Sequence, residues 1–233
     1  MPTERMSLAW LLILALATTG NAYPQTSRNV IVSRADLCVT EGAVEQLPDR
    51  RLSVAVPKMR AYVNLETPQY LEVHFTYSGP TENQSSLGSG ELRRQLGLKL
   101  HAQDACNLVY VMWRIAPESE IVVSVKSNPG QHSSSECSNH GYKNIKPVRS
   151  APTPPLAPGQ TRTLRAEMNG QALQVFADNA PVWEGNVGQE ALSFHGPVGI
   201  RSDNARLALE LKTKREGAGG KMPPCRSGPG ESD

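Results

Sequence analysis

The chain has 233 residues, of which 39% are hydrophobic and 5% aromatic, and its formal net charge is +2. That length suits one β-sandwich of the larger kind, or one domain with tails. So small a charge, with basic residues scattered in short pairs such as Arg50-Arg51 and Arg93-Arg94, supplies no field that would draw nucleic acid.

Residues 1–22 read as a secretory leader. Arg5 precedes the apolar run 8–17, and the small residues Gly20 and Ala22 then precede a cleavage point after Ala22. The run is about ten residues long, too short to cross a ~30 Å hydrocarbon core. No later stretch is long and apolar enough, so the cleaved chain is expected in a secreted or periplasmic compartment, with no insertion into a membrane. Cys38, Cys106, Cys137 and Cys225 all survive cleavage. An even count in an exported chain points to two disulfides, with Cys106–Cys137 and Cys38–Cys225 the favoured pairing of the three possible. Zinc is the competing use, but no C-x-x-C spacing occurs.

From residue 29 onward the pattern alternates with period two. Short strands are predicted at 29–33, 35–40 and 52–56. The run 70–77 is clearer, with Leu71, Val73, Phe75 and Tyr77 on one face and Glu72, His74 and Thr76 on the other. Residues 78–90, rich in Ser, Gly and Asn, read as a loop. Strands follow at 95–102, 108–115 and 120–126. The second is apolar on both faces up to Arg114, as a central strand would be. A polar excursion, 127–146, precedes a proline-rich segment, 147–159, expected to cross the outside of the fold. Asn169-Gly170 separates strands at 163–168 and 171–177 as a hairpin turn. Asp178-Asn179 turns the chain into 180–184, and a last strand covers 205–213. No amphipathic helix of any length is visible. Many short strands without helices predict an all-β, antiparallel two-sheet jelly-roll sandwich spanning 23–213, with 214–233 a loose tail.

Two stretches, "TLRAEMNGQALQVFADNAPVWEG" and "GPVGIRSDNARLALELK", resemble the C-terminal half of the concanavalin A-like lectin/glucanase superfamily, in its laminin-G-like and 3-keto-disaccharide-hydrolase-like branches. In that resemblance "GPVGIRSDN" is a turn leading into the closing strand. The central block "CNLVYVMWRIAPESEIVVSVKSNPG" resembles that of secreted bacterial proteins of the same type. The resemblance implies a fold and says little of activity. The glucanase E-x-D-x-x-E motif is absent, and Glu118 and Glu120, two apart and able to share a face, sit beside Pro117 at a turn and read as solvated turn charges.

No G-x-S-x-G elbow and no phosphate-binding glycine loop occurs. The most suggestive polar set is Arg114, Lys126, Asn128, His132, Glu136, His140 and Tyr142. Were the two central strands a hairpin turning at 116–119, Arg114 and Lys126 would approach one another on one sheet face. The cysteine-anchored loop would then fold over them with His140 and Tyr142. Such a cleft suits a sugar acid or a polyhydroxyl ligand; the alternative is a charge-paired surface in which Arg114 meets Glu118 or Glu136. Trp183 is a candidate sugar-stacking ring, with burial the alternative, whereas Trp113 shares its face with Val109, Val111 and Ile115 and belongs to the core. His132 and His140 could approach a metal, and Asp178, Asp203 and Asn204 could join a Ca²⁺ site; both sets are also ordinary surface and turn residues, so no cofactor is expected.

These features favour a secreted carbohydrate- or cell-envelope-binding module without catalysis. Two alternatives stand beside it. One is a glycoside-processing hydrolase that dispenses with the glucanase carboxylates; the other is a structural or interaction domain.

Overall fold

The computed structural model describes residues 28–215 and Cys225. The proposed leader and most of the proposed tail therefore lie outside the described residues. Among the described residues sixteen strands occur in chain order. The first half holds β1 (Arg28–Val32), β2 (Leu37–Glu41), β3 (Glu45–Gln46), β4 (Leu52–Val54), β5 (Lys58–Val63), β6 (Tyr70–Pro80), β7 (Arg94–Leu100) and β8 (Leu108–Ala116). The second holds β9 (Glu120–Lys126), β10 (Tyr142–Asn144), β11 (Arg149–Ser150), β12 (Thr161–Asn169), β13 (Ala172–Ala177), β14 (Ala180–Asn186), β15 (Gly199–Asp203) and β16 (Ala205–Arg215). One short α-helix, α1 (Ser134–Cys137), interrupts the excursion between β9 and β10.

The strands form two antiparallel sheets. The nine-stranded sheet runs β11-β14-β13-β12-β6-β16-β4-β3, with β1 also paired to β16. The seven-stranded sheet runs β10-β9-β8-β7-β15-β5-β2. Alternation dictates what each presents inward. Leu71, Val73, Phe75 and Tyr77 of β6 meet Leu96, Leu98 and Leu100 of β7 and Val109, Val111 and Trp113 of β8 in one buried core. Phe75 and Trp113 meet edge to face, ring centres 5.7 Å apart. The all-β sandwich read from the sequence is the fold observed.

The two predicted disulfides, Cys106–Cys137 and Cys38–Cys225, are both present. The hairpin at Asn169-Gly170 is present too, but displaced by one residue. Asn169 pairs with Ala172, leaving Gly170-Gln171 as the turn, and only Gly170 takes a positive φ. Asp178 and Asn179 both adopt positive φ between Ala177 and Ala180, as a two-residue primed turn requires.

Two central strands differ from the sequence reading. The segment "GPVGIRSDN" is not a turn: Gly199–Asp203 is β15, hydrogen-bonded on both sides, to β5 and β7. Its partner β5 also went unpredicted. Both carry charges on an outer face that is itself covered, Arg60 on β5 and Arg201 and Asp203 on β15. Arg60 and Asp203 satisfy each other on the outer face, so the strands tolerate burial that their composition argues against.

Candidate functional site

The outer face of the seven-stranded sheet is unlike that of its partner sheet. Because Leu96, Leu98, Val109, Val111 and Val123 point inward, the intervening residues of β7, β8 and β9 point outward. On β8 these are Leu108, Tyr110, Met112 and Arg114, and the first three form a small apolar cluster separate from the main core. All the charged residues that are buried among the described residues sit on this same face. They are Arg60, Lys99, Lys126, Arg201 and Asp203, none more than 6% exposed.

Over Tyr110 and Met112 lies a groove of about 210 Å³. Val122 shares its floor, and Gln95, Arg114, Asn144 and Arg201 project into it. Two loops make its walls. One carries Leu87 to Arg93; the other carries Ser138 and Asn139. They approach each other where Gly88 faces Asn139: a Cβ on Gly88 would stand 3.2 Å from that of Asn139.

The floor depends on Gly97, which pairs with Met112 across the ladder. A Cβ at Gly97 would overlap the Met112 sulfur and press on the Val111 carbonyl. The absent side chain is what lets Met112 lie flat. Gly97→Ala should therefore cost about 1–3 kcal/mol through overpacking and tilt Met112 into the groove. Urea unfolding measures the cost; an unchanged midpoint would contradict this account.

The second wall is held by many bonds. Asn128 donates from its side chain to the carbonyls of Cys106 and His140, each at 3.1 Å, and its backbone N–H donates to Asn107 Oδ1 at 2.9 Å. Glu136 caps α1, accepting from the backbone N–H groups of His132 and Ser133 and from the Ser133 hydroxyl. Those donors, His132 first, pull its carboxyl down to about 2. Lys126 donates to the Ser138 carbonyl at 2.9 Å, and the Cys106–Cys137 bridge ties α1 to the chain entering β8.

The wall delivers Tyr142. Its ring stacks on Tyr110, with centres 6.0 Å apart and planes 22° from parallel. Lys126 Nζ lies 5.0 Å from the Tyr142 ring centre, and the Arg201 guanidinium 5.2 Å from that of Tyr110. Beneath them, Asp203 accepts from Arg60 at 2.7 Å, from Gln95 at 2.7 Å and from Arg201 at 2.9 Å. Burial by itself raises the Asp203 carboxyl. The charges of Arg201 and Arg60 overcome that and hold it well below the usual carboxylate range.

The six proposed ligand residues are dispersed differently than expected. Arg114 and Tyr142 line the groove. Lys126 lies under Tyr142, and Asn128 buttresses the wall. His140 contributes a backbone carbonyl to Asn128 and does not line the groove. Trp183 is 3% exposed and packs in the main core, so it offers no stacking surface. Arg114 and Lys126 do share a face, but they are not neighbours. Arg114 pairs with Glu120 and Lys126 with Leu108, opposite ends of the ladder and roughly 20 Å apart at strand rise. Arg114 makes its ion pair with Glu120, not with Glu118 or Glu136. The oxygens considered for Ca²⁺ have other uses. Asp178 holds Thr163 and Arg162, Asn204 holds Ser85 and Arg93, and Asp203 holds the arginines. His132 pairs with Asp104 at 2.8 Å, and the described residues hold no cluster of three or more His, Cys, Asp or Glu fit for a metal.

Arg201, Tyr110, Met112, Arg93 and Asn139 were not singled out from the sequence. One signal was present: β8 is apolar on both faces, which requires something to cover the outer one.

This arrangement of sheets has a solved counterpart. A carbohydrate-binding module, CBM66 from Bacillus subtilis, is similar to this chain with a TM-score of 0.54 and 12% identity, covering 78% of this chain and 96% of the module. The two share a fold. Lower similarity is found to the metal-free carbohydrate recognition domain of Emp46p, with a TM-score of 0.48, 10% identity and coverage of 79% and 89%. Lactose- and MES-liganded congerin II gives 0.43, 14%, 65% and 98%. No family model matches the chain. No curated protein matches it either. The match to the module accords with the jelly-roll resemblance of the sequence and at this identity concerns fold alone.

Proposed function

We propose that the groove on the seven-stranded sheet binds a carbohydrate, and that the protein is an exported binding module acting without catalysis. The observation that carries this reading is the stacked Tyr110–Tyr142 pair, set in a groove whose lining also includes Arg, Asn, Ser, Gln and Glu side chains beside the apolar Leu87, Met112 and Val122. A sugar ring presents an apolar C–H face and a rim of hydroxyls. An aromatic floor with surrounding donors and acceptors meets both needs. CBM66, a protein of known structure similar to this chain at a TM-score of 0.54, is itself a carbohydrate-binding module, which supports the reading.

Export is proposed on the leader-like residues 1–22 and on two disulfides, which persist in oxidising compartments. No helix of the described residues is long and apolar enough to cross a membrane. A cell-envelope polysaccharide is a natural target for such a module.

A glycan panel tests the proposal. Retention of a saccharide by the mature protein is expected, with the affinity reduced roughly tenfold in Tyr142→Ala, which removes one face of the aromatic pair. Failure to retain any saccharide at millimolar concentration would overturn it.

A further inference from the structure

We infer that the ligand is an oligosaccharide laid along β8, and that a second hollow beside Pro117 holds its far end. This inference rests on the carbohydrate reading above and extends it to a subsite outside the groove.

The groove does not stop at Arg114. A second hollow of about 390 Å³ opens beyond it, lined by Leu92, Pro117, Glu118 and Glu120. Glu91, Arg93 and Arg114 line both depressions, so the two share a rim. Register sets the direction from one to the other. Asn144, Ser124 and Tyr110 lie abreast on β10, β9 and β8 at the tyrosine end. Glu120, Arg114 and Gln95 lie abreast on β9, β8 and β7 at the other. From Tyr110 to Ala116, where β8 ends, the strand rises roughly 20 Å, a span that takes several sugar rings to cover.

Each end offers an apolar surface. Tyr142 supplies it in the groove. In the second hollow Leu92, 53% exposed, stands near Pro117, and together they can meet the C–H face of a ring. Leu92 is held in place from below. Asn204, wholly buried, donates to the carbonyls of Ser85 and Arg93 at 2.8 and 2.9 Å and accepts from the Ser85 N–H at 2.8 Å. Within the loop, the Leu87 N–H donates to the Glu91 carbonyl at 2.9 Å. A wall formed in advance leaves less ordering to be done on binding.

The shared rim suits hydroxyl groups. Arg93 is paired with Glu91 and Arg114 with Glu120, so the charges there are matched, and both pairs are partly exposed. A paired guanidinium keeps N–H donors to spare, and a paired carboxylate keeps lone pairs. A hydroxyl both donates and accepts, so neighbouring hydroxyls of one sugar can bridge such a pair. A chain running from Tyr142 to Leu92 passes over this rim.

The test is calorimetry on the full mature protein with gluco-, xylo-, manno-, galacto- and fructo-oligosaccharides, each series running from the monosaccharide to the hexasaccharide. In the series that binds, affinity is expected to rise roughly tenfold or more with length and then level off. Leu92→Ala, at an exposed position, should remove most of that gain, whereas Tyr142→Ala should weaken every member of the series. Equal affinity at all lengths, or a gain with length that survives Leu92→Ala intact, would overturn the inference and leave the carbohydrate reading standing. Retention of no saccharide of any length would overturn both.

Discussion

Asp203→Asn should destabilise the protein by about 3–5 kcal/mol, the cost of breaking a buried ion pair from one side. Asn keeps the shape of Asp and removes the charge. Arg60 and Arg201 would then remain buried beside a neutral amide, and Gln95 would lose an anionic acceptor. The effect extends across two neighbouring strands, because Arg60 on β5 also donates to the carbonyls of Met59 and of Ser202 on β15. The pH dependence has a definite sign. The folded-state pKa of Asp203 is depressed. Its contribution is therefore complete above the ordinary carboxylate pKa of about 4 and fades as pH falls from there toward the folded value. Urea unfolding at pH 7 and at pH 3 should show a large gap between wild type and variant at the first and a smaller one at the second. A loss below about 1 kcal/mol at pH 7 would mean that the pair does not hold these strands together.

Removing the Cys106–Cys137 bridge, as Cys106→Ala/Cys137→Ala, should cost about 3–4 kcal/mol on the loop-entropy account for a separation of 31 residues. Here the stability loss comes with a functional one. The bridged loop carries Ser138 and Asn139, leads into Tyr142, and is bonded through Asn128 to the carbonyl of Cys106 itself. Freed of the bridge, α1 and its cap no longer fix that wall, so saccharide affinity should fall along with the unfolding midpoint. The other bridge gives the contrast. Cys38 lies on β2, the edge of the sheet furthest from β10 and the groove. Cys38→Ala/Cys225→Ala should lower stability and leave affinity unchanged. Equal affinity in both double variants would show that the wall holds its shape without the staple.

Fold and site were unequally legible in the sequence. Strands with one wet face announce themselves by alternation, and β6 is the clear case: Glu72, His74 and Thr76 had to face solvent if Leu71, Val73 and Phe75 did not. β5 does alternate, Met59, Ala61 and Val63 inward against Lys58, Arg60 and Tyr62, and went unread all the same, whereas β15 is covered on both faces yet carries Arg201 and Asp203, so no apolar run marks it. Their charges become intelligible only once pairing sets Arg60 opposite Arg201, with Asp203 two residues along. The groove failed to show for a related reason. Tyr110, Met112 and Arg201 are far apart in the chain and meet through ladder register, which the sequence does not state. Tyr142 and Arg114 were legible because each departs from its surroundings, one an aromatic in a polar loop, the other a cation ending an apolar strand. Trp183 looked eligible because it follows a turn, but β14 carries it back into the core.

The pairing of β1 with β16 sets Arg28 directly opposite Arg215. Arg28 and Arg215 thus stand side by side on the sheet that does not carry the groove, while the Cys38–Cys225 bridge draws the C-terminal side to β2, the far edge of the other sheet. A tether fused ahead of Arg28 would hang the molecule by its back and leave the tyrosines facing outward. Several copies strung on one scaffold could then engage the same polymer together, gaining avidity without any change in the individual site.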